Sequence, residues 1–183
     1  VVWSAPVAPG DRPRLLSVAG GKVAAAWGYA GPRRDRSEVA VFDGRGREFL
    51  ARVASADRRD VRVQLLSRVE PPPEPTVPLT LAQAVLKGEK MDEVIRDAVM
   101  LGVAAVQPIV TRRTEVTVAA LVRGARVDRW RRVALASAKQ SRRAVLPEVR
   151  MPLTFDNYLD EPATALRVML IEPAAISDAE PLA

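Results

Sequence analysis

Hydrophobic and polar positions follow two different rhythms along this chain, with the change near residue 75. Phe49, Ala51 and Val53 alternate with Glu48, Leu50 and Arg52, and Val61, Val63 and Leu65 alternate with Arg62 and Gln64. A period of two places alternate side chains on one face of a strand. Glu38 to Phe42 is a further β-type run, and Asp43-Gly44 after it predicts a tight turn with positive φ at both central positions. The first 35 residues are punctuated by Pro6, Pro9, Gly10, Pro13, Gly20, Gly21, Gly28, Gly31 and Pro32, which predicts short strands between turns. Together these segments predict a small antiparallel β-barrel over residues 1–70.

Residues 71–78 carry five prolines, Pro71, Pro72, Pro73, Pro75 and Pro78. Proline fixes φ and lacks an N–H, so the stretch predicts a semi-rigid linker. The rhythm then changes. Leu79 to Leu86 and Val103 to Val110 are apolar runs suited to strands buried on both faces. Between them Met91, Val94, Ile95, Ala98 and Leu101 recur at helical spacing, with Gly102 as the stop. Asp128 is placed to cap a helix running to about Arg143, with Trp130, Val133, Ala134 and Ser137 inward. Val149 to Leu153 and Arg167 to Ile171 are expected strands. Strands alternating with helices predict an α/β domain with a parallel sheet over residues 79–183.

Composition narrows the chemistry. The 183 residues include no Cys and no His. Disulfides, thiolate nucleophiles, His-based metal sites and a Ser-His-Asp triad are therefore excluded within this sequence, and no metal is expected. The N-terminus shows no signal-peptide pattern, and no apolar run reaches the ~18 residues that span a bilayer. The expectation is a soluble, cytoplasmic protein. The net charge of +6 is uneven: residues 75–150 hold 14 basic and 7 acidic side chains, and residues 151–183 hold 1 and 6. A basic middle fits either a polyanionic partner or a chain simply rich in Arg.

Three segments could carry that partner. Lys87 and Lys90 lie where a buried strand meets a helix, the place where ligands sit in open α/β sheets. Arg112 and Arg113, flanked by Thr111 and Thr114, end the next strand and suit phosphate. On the predicted helix from Asp128, Arg132, Lys139 and Arg143 recur on one face, and Gln140 and Arg142 crowd its end. Each has an ordinary reading as a solvated turn, strand end or helix face. The functional reading rests on the expectation that all three meet at one edge of the sheet.

With these residues in view, the sequence resembles the RsmE family of ribosomal RNA (uridine-N3) methyltransferases. The resemblance runs from about Glu38 to Leu159. It rests on Val41-Phe-Asp-Gly-Arg-Gly-Arg-Glu48, Ala82-Gln83, Lys87-Gly-Glu-Lys-Met91, Leu101-Gly-Val-Ala-Ala-Val-Gln-Pro108, Arg113, Trp130 and Gln140-Ser-Arg-Arg-Ala-Val-Leu-Pro-Glu-Val149, in the family's order and spacing. It implies an N-terminal PUA-like β-barrel and then a methyltransferase domain of the SPOUT class. That class has a knotted C-terminal part that binds S-adenosylmethionine, and it works as a homodimer. The implied partner is ribosomal RNA or the small ribosomal subunit, and the implied reaction is methyl transfer to uridine N3. No residue is marked as catalytic or cofactor-binding.

Some positions depart from the family. Met100, Arg112 and Lys139 stand where it favours carboxylates, and the His- and Arg-rich strand before Phe42 is replaced by Ala24 to Arg34. The family's Gly-Pro-Glu-Gly-Gly cofactor loop has no counterpart within residues 1–183. The expectation is that these residues alone do not bind S-adenosylmethionine tightly and leave apolar surface exposed. The rival reading is a non-catalytic RNA-binding module derived from this family. A small-molecule enzyme on another α/β fold is disfavoured by Lys87, Arg113 and Arg143.

Overall fold

A computed structural model describes residues 15–19, 38–56, 60–162 and 166–170. Strands β1 (Leu15–Ala19), β2 (Glu38–Phe42), β3 (Glu48–Ala56) and β4 (Asp60–Val69) form an antiparallel sheet in the order β1-β4-β3-β2. The alternation seen in the sequence sets its core: Val39, Val41, Phe49, Ala51, Val63 and Leu65 are buried together, with Val53 against them. Among the described residues β1 and β2 are its two edges, and residues 1–14 and 20–37 of the barrel expected over residues 1–70 lie outside the described residues.

The Asp43-Gly44 turn is longer than predicted. Only the glycines carry positive φ, Gly44 at 76° and Gly46 at 95°. The Asp43 carboxylate explains the difference. Its Oδ1 accepts the backbone N–H groups of Arg45 (2.8 Å) and Arg47 (3.1 Å), and its Oδ2 accepts Arg47 Nε (2.6 Å). A five-residue loop wraps one buried acid, closed by Asp43 N donating to Arg47 O. Burial pushes this carboxyl up, but the Arg45 and Arg47 N–H groups and the Arg47 guanidinium outweigh it and hold it below its usual range.

The second sheet is parallel. It comprises β5 (Thr80–Ala84), β6 (Ala105–Val110), β7 (Glu148–Val149) and β8 (Leu153–Thr154), with β6 between β5 on one side and β7 and β8 on the other. The predicted strand Val149 to Leu153 is thus two short strands with a break. Pro108 in the central strand explains it. Arg150 N donates to Val106 O, so residue 108 also faces that side, and as proline it offers no N–H. The buried Gln107 carboxamide fills the gap by donating to Met151 O at 2.8 Å.

Helices α1 (Lys90–Met100) and α3 (Arg126–Gln140) pack side by side on the sheet. Met91, Ile95, Ala98, Val99, Val127, Trp130, Ala134 and Ala138 share one core with Val106 and Val149. α3 begins at Arg126, so Asp128 lies inside its first turn and does not cap it. Short α2 (Val118–Arg123), capped by Thr117 Oγ1 accepting Ala120 N, went unpredicted, and α4 (Phe155–Asp160) follows β8. The expected strand from Arg167 is absent through residue 170. Those residues pair with no strand, and Arg167 donates to Leu159 O and Glu161 O instead.

Residues 71–78 form no helix or strand, as proline dictates, and touch the ends of the second sheet's helices through Glu74 and Pro75. A methyl group at Gly102, whose φ is +98°, would stand 2.6 Å from Pro75 Cγ. Gly102→Ala is expected to cost about 2–4 kcal/mol through strain and overlap. Gly88→Ala, at φ +63° but in open space, is expected to cost only about 1 kcal/mol. Equal urea midpoints for the two variants would refute the close packing. Asp43→Asn is expected to lose about 1–3 kcal/mol at neutral pH. The folded-state pKa of Asp43 is lowered, so its contribution is complete above the unfolded value near pH ~4 and fades as pH falls through the lower folded value. Thermal melts of the two proteins should therefore converge as pH falls through that lowered folded-state value.

Candidate functional site

The loops after β5 and β6 are neighbours, as expected of adjacent parallel strands. Lys87, in the first, pairs with Glu115, in the second, at 3.1 Å, and both are largely exposed. Thr114 closes the second loop: its Oγ1 donates to Thr111 O (2.6 Å) and accepts Thr111 N–H (3.0 Å). This fastened turn leaves the Arg112 and Arg113 side chains exposed. Lys90 is exposed at the start of α1. The acids beside it, Glu89 and Asp92, are bound by Arg129 of α3, whose Nη2 reaches Glu89 at 3.0 Å and whose Nε reaches Asp92 at 2.6 Å. Hydrogen bonds to Glu89 and then Asp92 raise the Arg129 pKa. Sequence reading missed Arg129; its acid partners lie 37 and 40 positions away.

The remaining candidates do not join this edge. α3 starts near the amino end of α1, through Arg129, and finishes near its carboxyl end. Its 15 residues span roughly 22 Å. Lys139, Gln140 and Arg142 therefore lie at the opposite edge of the sheet from Lys87, Lys90, Arg112 and Arg113, and exposed Arg132 lies between. The expected convergence of three basic groups is replaced by two separate groups. The cause is that α3 runs antiparallel to the strands.

Arg143 is corrected further. It is 8 % exposed and faces inward. Nη1 donates to Val99 O (2.9 Å) and Val103 O (3.0 Å), and Nε donates to both Glu74 carboxylate oxygens (3.2 and 3.0 Å). Nη2 donates to Glu74 as well. Its donors are committed to the protein, so it is not a phosphate contact. Arg142, one residue earlier, has φ +58° and lies beside Glu48. Burial pushes the Glu48 carboxyl up, and the Arg142 charge partly offsets this.

The two sheets meet just beyond α3. Gly46 N donates to Ala144 O (3.1 Å) and Leu146 N donates to Gly44 O (2.9 Å). Phe42, Ala144 and Leu135 pack together beneath these bonds. An open depression of about 370 Å³ lies against Arg131, Leu146, Pro147, Glu148 and Val149. It borders β7, not the carboxyl ends of β5 and β6. Those ends present cations and a threonine turn. Among the described residues no group of three or more acidic side chains could hold a metal ion.

Comparison with known proteins places this geometry. A family model described as an RNA methyltransferase domain matches residues 72–181. The ribosomal RNA small subunit methyltransferase E of Synechocystis sp. is 36 % identical over 125 residues, which are 67 % of this chain and 39 % of that protein. A solved structure from Legionella pneumophila, described as a methyltransferase in complex with the bound cofactor SAM, is 26 % identical with a TM-score of 0.75. It covers 87 % of this chain and 66 % of that one. The Neisseria gonorrhoeae ribosomal RNA small subunit methyltransferase E bound to S-adenosyl methionine has the same fold, with a TM-score of 0.74 at 23 % identity over 83 % of this chain and 62 % of that one. The fold is thus that of an RNA methyltransferase domain. Within that class the chain belongs to the RsmE family. It spans about half the length, or less, of the curated relatives it matches.

The structural role of Arg143 is directly measurable. Glu74→Ala and Arg143→Ala are each expected to destabilise the fold by about 2–5 kcal/mol, because one strands the buried Arg143 and the other strands half-buried Glu74 and two carbonyls. The double variant should be less destabilised than the sum of the two. Strict additivity in a urea-denaturation cycle would show that the two side chains do not work as a pair.

Proposed function

We propose that the protein transfers the methyl group of S-adenosylmethionine to N3 of a uridine in small-subunit ribosomal RNA. The observation that carries this is the similarity to the Legionella methyltransferase structure, solved with bound SAM, over 87 % of this chain. The family name of the curated relatives supplies the RNA. On this reading residues 1–70 are a PUA-like RNA-docking domain, residues 71–78 a linker, and residues 79–183 part of a SPOUT-type methyltransferase domain. The protein acts in the cytoplasm as a homodimer.

S-adenosylmethionine supplies an electrophilic methyl group on sulfur. The chain's own residues hold the RNA. Arg112 and Arg113 stand at the strand end on a fastened turn, where they can bind phosphate and place positive potential near the target base. Loss of the N3 proton leaves a uracil anion, which such cations stabilise. Lys87 is partly neutralised by Glu115 and contributes less.

The full-length protein, given labelled S-adenosylmethionine and small ribosomal subunits lacking the modification, should yield labelled N3-methyluridine on nucleoside analysis. Label on another base or in protein would refute the reaction, and tight RNA binding without any transfer would favour a non-catalytic RNA-binding module. Arg112→Ala with Arg113→Ala should weaken RNA binding by at least tenfold and lower the slope of log affinity against log salt by about 2.

A further inference from the structure

The proposed reaction uses the cations at the carboxyl ends of β5 and β6. It leaves unexplained a second set that runs from the middle of α3 to its far end and onto the Asp43 loop. Three members have no side-chain partner among the described residues: Arg45 in the Asp43 loop, and Arg132 and Lys139 on α3. Arg45 and Arg132 are exposed and Lys139 is half-buried. Arg132 and Lys139 are seven residues apart, two helical turns or roughly 10 Å on one face. Leu135 lies between them along the helix and packs against Phe42 and Ala144, the contact that seats the Asp43 loop. The same small cluster therefore anchors Lys139 and Arg45, which belong to different sheets.

We propose that Arg45, Lys139 and Arg132 form a second phosphate-binding stripe, which grips the backbone of a double-helical segment of the RNA away from the methylation site. The inference rests on the proposed RNA substrate and deepens it.

Three features favour a helical backbone over a single strand or an acidic protein. The first is rigidity. The Arg45 N–H is held by Asp43 Oδ1 at 2.8 Å, and the bonds from Gly46 to Ala144 and from Leu146 to Gly44 fix the loop on the end of α3. A preformed array of cations suits a rigid, regular anion. The second is the lack of a stacking platform. Among the described residues, the aromatic side chains of β2, β3 and α3, Phe42, Phe49 and Trp130, are buried and offer no ring to an unpaired base. Contacts there are confined to phosphate and sugar, the mode by which duplex RNA is held through shape. The third is local charge. Asp128, the acid on the same side of α3, is bound by Arg131 at 3.1 Å. Glu74 is occupied by Arg143, and Glu48 lies beside Arg142. The nearby acids thus have cations of their own.

The Lys139 end of the stripe stands about one α3 length, roughly 22 Å, from the start of that helix, and Arg132 lies midway. A helical segment held on the stripe would bring its flanking nucleotides toward Arg112 and Arg113. Arg45 then acts in substrate placement, and Asp43 positions Arg45.

The test uses the full-length protein and two RNA probes of mixed sequence, a hairpin of about 16 base pairs and a single strand of the same length. Affinities are measured by fluorescence anisotropy over a salt series. The hairpin is expected to bind more tightly. Arg45→Ala, Arg132→Ala and Lys139→Ala should each lower its salt slope by about 1, with thermal melts unchanged, and Arg45→Lys should retain the slope. Preference for the single strand, or a slope unchanged in the triple alanine variant, overturns the stripe. So does equal displacement of the hairpin by polyglutamate at matched charge, which would mark a surface for acidic protein. If the triple variant loses the hairpin but the wild type methylates no ribosomal RNA, the stripe stands and the proposed reaction falls. If the triple variant binds and methylates like the wild type, the reaction stands and the stripe falls.

Discussion

Arg143 is a cation taken out of water, and such a group persists only where its donors and its charge are both met. Here Glu74 meets the charge, and the carbonyls of Val99 and Val103 take the donors that remain. Each partner comes from a different stretch of chain. Glu74 fixes the proline-rich segment, Val99 and Val103 are the end of α1 and the approach to β6, and Arg143 itself comes just after α3. Removing the guanidinium would release the two helix ends and the segment that joins the sheets. The next residues, Ala144 to Leu146, then receive the Asp43 loop. The orientation of the N-terminal sheet is thus referred back to a single buried ion pair.

This constraint sorts the basic residues by role. Cations close to one another in sequence end in opposite environments: Arg143 is inside, and Arg142 is on the surface. Along α3, Arg129 is tied to the acids of α1, while exposed Arg132 and half-buried Lys139 have no side-chain partner among the described residues. An excess of seven positive charges over residues 75–150 gives a long-range attraction for a polyanion. Only the cations without protein partners can convert that attraction into contacts.

Much of the fold was legible in the chain. Period-two alternation identified β3, β4 and the face they bury, because a half-buried antiparallel strand must alternate. The apolar runs at Leu79 and Val103 and the helical spacing from Met91 identified β5, α1 and β6. Features set by distant partners were not legible. That Arg143 is buried depends on Glu74, 69 residues earlier. That Asp43 organises a five-residue loop depends on backbone donors that a two-residue turn would not present. α2 is too short for periodicity to register, although Thr117 at its start was a usable signal. The candidate residues were correctly placed on elements, but their meeting at one edge required knowing that α3 runs back across the sheet.

The ends of the two helices show why this arrangement is specific. After α1, Gly102 N donates to Val99 O and Val103 N donates to Ala98 O, with Gly102 left-handed. After α3, Arg142 N donates to Lys139 O and Arg143 N donates to Ala138 O, with Arg142 left-handed. Both are Schellman endings, in which the chain reverses on one left-handed residue. Glycine takes that conformation freely, but arginine does so at a cost of about 1 kcal/mol. The strained ending of α3 is held in place by Arg143, since the reversal aims that side chain at the carbonyls of the α1 ending. One helix terminus therefore supplies the donors that the other lacks. The strain at Arg142 is offset by the burial of its neighbour, and the same reversal delivers Ala144 and Val145 to the Asp43 loop.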